Sequence, residues 1–135
     1  MTFFSCLLLT ALYFSPILSI ITRQAMDDLR QQQSHCLRLS GVTKDQLEMA
    51  RIDRRIHEEE NLEKFAGCLL NKFRIMNADG TINHDSGSYV LITDDPGSFL
   101  AARKCATLVG ANVRDTARQI VNCLLRTDII VMDPQ

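Results

Sequence analysis

The sequence contains none of the short motifs that mark common catalytic sites. No serine lies in a G-x-S-x-G turn, and the six glycines form no loop that could cradle a phosphate. The three histidines, His35, His57 and His84, show no HxxxH spacing that would seat a metal. We therefore expect no catalytic residues, no cofactor and no metal site, and we interpret the histidines as surface polar residues.

Charge of one sign is not concentrated anywhere in the chain. The 15 basic and 16 acidic residues are interspersed, and the formal net charge is -1. A nucleic-acid-binding protein usually presents a stripe of basic residues. The charge pattern therefore gives no reason to expect nucleic acid as a partner.

Charged residues are missing altogether before Arg23. Residues 3–21 are almost wholly apolar, which is typical of a secretory signal, and Ser19 offers a small residue for cleavage. A single membrane anchor is the alternative, but a run of about 19 apolar residues is marginal for crossing a bilayer. We predict a signal peptide over residues 1–19, followed by one secreted, extracellular domain over residues 20–135 that does not insert into a membrane.

The cysteines become informative once export is predicted. Cys6 lies in the predicted signal peptide, and the other four remain in the mature chain. These four are Cys36, Cys68, Cys105 and Cys123. Four cysteines in a short exported chain indicate two disulfides, and their count allows three pairings. The spacing favours local closure of the last two cysteines but does not determine the pairing.

Long alternating runs that would predict β-strands are also missing. Apolar residues after the signal recur with helical period, so we predict an all-α protein. A first helix is expected from about Ala25 to Leu39, ending at Ser40-Gly41. The sequence from Thr43 to Gln46 has the form of a capping box and predicts the start of a second helix.

The third predicted helix has the clearest pattern. Its apolar residues follow the i, i+3, i+4, i+7 spacing of one buried helix face. They are Leu62, Phe65, Ala66, Leu69, Phe73 and Met76. We expect this helix to end at the turn sequence Asn77–Gly80, and we expect Tyr89–Ile92 to form a short helix or an extended piece.

Two more helices are predicted in the last third of the chain. The first enters at Thr93–Pro96, includes Leu108 and ends at Gly110, and the second begins after a cap at Asn112. The apolar stripe of the second consists of Val113, Ala117, Ile120, Val121 and Leu124. The apolar tail Ile129–Met132 is expected to pack against the body of the protein.

Two parts of the chain resemble known functional sites, but each lacks residues that the site requires. The turn Asn77–Gly80 resembles the middle of a calcium-binding EF loop, but Ile75 and Ser86 stand where the first and last acidic ligands are needed. A secreted phospholipase needs a His-Asp pair in a cysteine-dense helix, whereas His84-Asp85 has no neighbouring cysteine. The inward apolar stripes therefore form either a packed core or the wall of an apolar cavity, and periodicity does not separate the two.

The order and spacing of the cysteines and helices resemble the insect odorant-binding proteins of the pheromone-binding and general odorant-binding superfamily. In that family six cysteines recur, with three residues between the second and third and eight between the fifth and sixth. If Cys68 is the third cysteine of this pattern, the position of the second is occupied by Lys64. If Cys123 is the sixth cysteine, the position of the fifth is occupied by Arg114. Both absent cysteines belong to one bridge, so the chain resembles the four-cysteine, or minus-C, branch. The segment Cys68–Ile82 is also similar to the family.

The resemblance implies disulfides Cys36–Cys68 and Cys105–Cys123, and about six short helices around an apolar pocket. It implies a carrier, not an enzyme, that binds small hydrophobic odorant- or pheromone-like ligands and moves them through aqueous fluid. A membrane chemoreceptor is then a candidate partner. The alternatives are a carrier of the same fold in a non-olfactory secretion, and a secreted helical signalling protein.

Ligand contacts are expected from the inward-facing stripes and not from a family motif. The candidates are Phe73, Met76, Tyr89, Ile92, Leu108, Ile120, Leu124, Ile130 and Val131. Ordinary core packing is the alternative for each of them. Tyr89 is the expected polar contact, because its hydroxyl can meet a ligand oxygen while its ring stays buried.

The absent bridge carries a prediction of its own. Without it the third and last helices are tied less tightly, so we expect a more adaptable pocket than a six-cysteine relative has. Lys64 and Arg114 are expected to face solvent, because two facing cations would repel each other. Glu60, four residues before Lys64, is its expected partner.

Overall fold

The computed structural model describes residue 24, residues 26–84 and residues 96–132. Within these ranges the chain forms five helices, together with one isolated antiparallel bridge between Met76 and Ile82. The helices are α1 (residues 26–40), α2 (Lys44–Asp53), α3 (Glu60–Lys72), α4 (Pro96–Cys105) and α5 (Val113–Arg126). The all-α prediction is confirmed. The predicted signal peptide and the segment Tyr89–Ile92 lie outside the described residues.

Local chemistry determines the boundary between α1 and α2. Gly41 adopts the left-handed conformation (φ 69°) after α1, and its N–H donates to the carbonyl of Leu37 at 3.2 Å. Thr43 then caps α2, because its Oγ1 accepts from the N–H of Gln46 at 3.2 Å. Gln46 Oε1 accepts in return from the N–H of Thr43 at 3.0 Å, which completes the predicted capping box.

Helix α3 ends one turn earlier than predicted. Its last residue is Lys72, and Arg74 adopts the left-handed conformation (φ 59°) without being a glycine. The chain leaves the helix there, and Ile75 N–H donates to the carbonyl of Leu70 at 2.9 Å. Met76 is therefore not helical, contrary to the prediction, although it is buried where the chain pairs with Ile82.

The last two helices also depart from their predicted patterns at one position each. Helix α4 ends at Cys105, so Leu108 lies in the connection to α5 and not on a helix. Asn112 caps α5 as predicted, with its Oδ1 accepting from the N–H of Asp115 at 2.9 Å. Val113 is 51% exposed instead of buried; it lies at the first position of α5, and its side chain is close to Gly80.

The hydrophobic core lies mainly between α3 and α5. Phe65 of α3 and Ile120 of α5 are completely buried in it. Both predicted disulfides are present at its edges, Cys36–Cys68 joining α1 to α3 and Cys105–Cys123 joining α4 to α5. The pairing implied by the resemblance is thereby confirmed.

Candidate ligand-binding site

A cleft opens between the end of α2 and the C-terminal tail. Its volume is about 200 Å³, and we call it the tail cleft. It is lined by Arg51, Arg54, Leu125, Ile130, Val131 and Met132. Four aliphatic or thioether side chains and two guanidinium groups therefore face one small space.

The apolar wall of the tail cleft exists because the tail folds back after α5. Asp128 adopts the left-handed conformation (φ 56°), and the N–H groups of Ile129 and Ile130 then donate to the carbonyl of Leu124 at 3.0 and 3.4 Å. Gln33 of α1, itself completely buried, donates from Nε2 to the carbonyl of Val131 at 2.6 Å. The prediction that the tail packs against the body is confirmed, and Gln33 is the residue that holds its end.

The two arginines of the tail cleft have different surroundings. Arg54 follows α2 in the left-handed conformation (φ 51°), forms an ion pair with Asp128, and lies 3.5 Å from the carbonyl of Leu125. Arg51 is exposed in the last turn of α2 and has no polar partner among the residues that the structure describes. One guanidinium is thus held in place by protein groups, whereas the other has no such contact with the described residues.

The predicted ligand contacts are not all brought together. Ile130 and Val131 line the tail cleft. Leu108 lines a different cleft, and Phe73 is half-buried against the core. Three more candidates are buried within the core: Met76, Ile120 and Leu124. Tyr89 and Ile92 lie outside the described residues, so the site that they would complete stays a prediction.

Arg51, Arg54, Leu125 and Met132 were not predicted as site residues. Leu125 and Met132 carry a weak signal, since both belong to the apolar pattern of α5 and its tail. Arg54 carries none, because a glycine and not an arginine is the usual sign of a left-handed residue after a helix. These residues are far apart in the chain and come together only because the end of α2 packs near the C-terminal tail.

A second, larger cleft of about 420 Å³ lies beside α5, and we call it the arginine cleft. It is lined by Arg55, Leu108, Arg118, Gln119, Asn122 and Arg126. Asn122 is buried and occupied by protein, accepting from the N–H of Ile56 at 2.6 Å and donating to its carbonyl at 3.1 Å. Its amide therefore holds the α2–α3 connection against α5. Both its oxygen and its nitrogen already form hydrogen bonds within the protein.

The histidines are dispersed over the described surface. His57 Nε2 lies 2.8 Å from Asp53 Oδ2, and His35 lies in a shallow polar cleft with Arg38 and Lys72. His84 is exposed. In the ranges that the structure describes, no three His, Cys, Asp or Glu side chains are grouped closely enough to hold a metal ion.

The sequence model of the PBP/GOBP family matches residues 19–127 of the chain. The chain belongs to this family. It is the family of insect odorant- and pheromone-binding proteins, whose members are secreted carriers of small hydrophobic ligands and not enzymes. No match to the chain was found among curated proteins. Among the described helices of this family member, none is long and apolar enough to cross a membrane.

Membership in the PBP/GOBP family makes Lys64 and Arg114 informative, since they stand where the resemblance places one cysteine pair. Glu60 Oε1 lies 3.3 Å from Lys64 Nζ and 3.3 Å from Arg114 Nη1. The side chains of Lys64 and Arg114 are 50% and 52% exposed, as predicted. Besides facing solvent, the two cations are bridged by one carboxylate, with which both form ion pairs. We call these three residues the charge clasp.

The charge clasp changes the acidity of its carboxylate. The hydrogen bond from Lys64 and its positive charge, followed by the charge of Arg114, lower the pKa of Glu60 below its ordinary value. The clasp is therefore ionised throughout the neutral and mildly acidic range.

A second ion cluster lies beside the charge clasp at the α3–α5 interface. Arg118 is only 12% exposed, and its Nη2 lies 2.5 Å from Asp115 Oδ1 and 3.3 Å from Glu58 Oε1. Its Nε lies 3.8 Å from Glu63 Oε2, which is close enough for charge attraction but too long for a hydrogen bond. The N–H of Ala111, and then Arg118, lower the pKa of Asp115. Ion pairs thus line the end of the interface where the resemblance predicts a cysteine pair.

Proposed function

We propose that this PBP/GOBP protein is an extracellular carrier that binds small hydrophobic molecules in an internal apolar pocket and moves them through aqueous fluid. The observation that carries the proposal is the family match over residues 19–127. The two disulfides support it, since they fit a small exported domain. We further propose that the chain is a four-cysteine, minus-C member, with odorant- or pheromone-like ligands.

The physical basis of such a carrier is burial of apolar surface. A ligand gains about 25 cal/mol for each Å² of apolar surface that leaves water, and no covalent step is needed. The proposed contacts remain the inward apolar positions. They are Phe73, Met76, Tyr89, Ile92, Leu108, Ile120, Leu124, Ile130 and Val131. Three of these positions line a cleft: Ile130 and Val131 line the tail cleft, and Leu108 lines the arginine cleft. Ile130 and Val131 have the stronger support, because the other lining residues of their cleft include apolar side chains.

Export is part of the proposal. We propose that residues 1–19 are a signal peptide and that residues 20–135 form the mature carrier. The start of the family match at residue 19 supports this division. N-terminal sequencing of the protein secreted by insect cells should begin close to residue 20. Recovery of the uncleaved chain in the membrane fraction would contradict export by cleavage.

The test of the carrier function is displacement of a neutral naphthylamine dye from the mature chain. We expect saturable binding with a dissociation constant on the order of micromolar, and displacement by neutral odorant-like alcohols and esters. A sugar of similar size should not displace the dye. A folded, disulfide-bonded chain that binds no dye and no alcohol would overturn the proposal and favour a signalling protein with a solid core.

A further inference from the structure

The tail cleft combines an apolar wall with positive charge. The wall is made by Leu125, Ile130, Val131 and Met132, and Arg51 and Arg54 stand beside it. Leu125, Ile130 and Met132 are almost completely buried, whereas Val131 is half-buried and forms the accessible part of the wall. A space of this kind suits a molecule with an apolar chain at one end and a negative charge at the other.

Among the residues that the structure describes, one of the two cations in the tail cleft has no ion-pair partner. Arg54 is neutralised by Asp128, which it contacts directly. The carboxylates of α2 nearest to Arg51 in the chain are Glu48 and Asp53. Asp53 is engaged by His57 at 2.8 Å, and Glu48 is exposed and lies in no ion pair with Arg51 among the described residues. Arg51 therefore keeps its charge uncompensated within the described part of the chain. The tail cleft therefore offers one guanidinium for pairing with an anionic group.

The size of the tail cleft limits the ligand further. A volume of about 200 Å³ lies below the roughly 300–1,000 Å³ of pockets that enclose drug-sized ligands. A guanidinium group binds a carboxylate through two parallel hydrogen bonds, which also orients it. The occupant that fits the volume, the apolar wall and the single charge is a short aliphatic chain ending in one carboxylate.

We propose that the tail cleft binds medium-chain monocarboxylic acids in their ionised form. The carboxylate pairs with Arg51, and the aliphatic chain lies against Val131 and the edge of Met132. The ion pair between Arg54 and Asp128 holds the tail against the end of α2 and keeps the wall in place. This inference rests on the proposed carrier function, of which it names the ligand class for one site.

The experiment compares octanoate with octanol, two ligands of equal chain length that differ in charge at pH 7. Isothermal titration calorimetry of the mature chain gives the affinity for each. We expect octanoate to bind about threefold to tenfold more tightly, because a solvent-exposed ion pair with two hydrogen bonds adds a modest gain. The preference should shrink as salt is added.

Variants of single arginines show which residue causes the preference for octanoate. Arg51→Gln should abolish the preference for octanoate over octanol, and Arg51→Lys should keep part of it. Arg126→Gln removes an arginine from the arginine cleft, and Arg103→Gln removes one from the exposed last turn of α4. Both control variants should keep the preference of the unchanged protein.

The possible outcomes separate this inference from the carrier function. Equal affinities for octanoate and octanol would overturn the inference and leave the carrier intact. Loss of the preference in Arg126→Gln instead of Arg51→Gln would also overturn it, because the acid would then bind in the arginine cleft. Failure of both ligands and of the neutral dye to bind would instead overturn the carrier function.

Discussion

Helix α3 is joined to its two neighbours by chemically different links that lie one turn apart. At Cys68 the link is covalent, a disulfide to Cys36 of α1 with 5.6 Å between the Cα atoms. At Lys64 the link is ionic, through Glu60 to Arg114 of α5. The family resemblance places a second disulfide where the ionic link stands.

The two links respond differently to solution conditions. A disulfide stabilises mainly by restricting the unfolded chain, so salt and moderate pH hardly affect it. Exposed ion pairs contribute little, and salt screens them. The α1–α3 contact should therefore be constant across conditions, whereas the end of the α3–α5 interface that carries the charge clasp should loosen in salt or acid.

Removal of both disulfides is expected to have the largest effect. The loop-entropy relation assigns roughly 4 kcal/mol to Cys36–Cys68 and roughly 3 kcal/mol to Cys105–Cys123, whose sequence separations are 32 and 18. A loss of about 7 kcal/mol is comparable to the whole stability of a small domain. The variant with all four cysteines changed to alanine should show no cooperative unfolding transition in urea, followed by circular dichroism.

The two single-bridge variants provide the internal control for that experiment. Cys36→Ala with Cys68→Ala should lower the urea midpoint more than Cys105→Ala with Cys123→Ala, because the longer loop is released. If the Cys105–Cys123 variant instead has the lower urea midpoint, loop length does not determine how much each disulfide stabilises the protein.

Replacement of the ionic link by a covalent one is the next prediction. Lys64→Cys together with Arg114→Cys should form a third disulfide and stabilise the protein by up to about 4 kcal/mol. Non-reducing mass spectrometry checks the bond, and thermal unfolding checks the gain. Two free thiols in the oxidised, folded protein would contradict the alignment that pairs these positions.

Loss of the buried hydrogen-bonded link between α5 and the α2–α3 connection should have a moderate effect. Asn122→Ala leaves the N–H and the carbonyl of Ile56 buried without partners, which should cost about 2–3 kcal/mol in urea unfolding. The exposed Asn71→Ala on α3 is the matched control and should be nearly neutral. The loss should be the same at low and high salt, since no ion pair is removed.

The smallest effect is expected for the charge clasp itself. Glu60→Gln leaves Lys64 and Arg114 without their shared carboxylate, so it should lower the thermal midpoint slightly in low salt and not at all in high salt. Glu48→Gln, on the exposed face of α2, is the control that should change neither value. An effect that persists in high salt would show that Glu60 acts by packing and not by charge.

The pH dependence of the charge clasp has a definite sign. Because the pKa of Glu60 is lower in the folded protein than in the unfolded chain, its contribution is present above the ordinary carboxyl pKa of about 4. The contribution is lost as the pH falls below that value and through the folded pKa. In that acidic range the unchanged protein should lose more stability than Glu60→Gln, and equal losses would contradict the assignment.

The predictions that held depend on residues close together in the chain. The capping box at Thr43, the end of α1 at Gly41 and the cap at Asn112 are all present. Each uses hydrogen bonds within one turn, so a few neighbouring residues suffice to specify it. The apolar stripe of α5 from Ala117 to Leu124 is buried for the same reason, since helical period places it on one face.

The predictions that failed concern where helices stop and what their ends touch. The apolar spacing predicts that α3 continues to Met76, but the helix ends at Lys72 and the left-handed conformation of Arg74 turns the chain away. The spacing places Val113 on the apolar stripe of α5, whereas the structure leaves it half-exposed beside Gly80. In both cases the apolar spacing correctly predicts which neighbouring residues of the helix are buried, but it does not predict where the helix begins or ends.

By itself, the sequence determined the helical class, most helix starts and the number of disulfides, because helical periodicity and capping act within a few neighbouring residues and the cysteines of a short exported chain pair with each other. Only the tertiary structure decided that Glu60, the expected partner of Lys64, also contacts Arg114, that Gln33 holds the tail at Val131, and that Arg51 faces an apolar wall. These contacts join residues far apart in the chain. Their distances depend on how helices pack, and no local pattern encodes that.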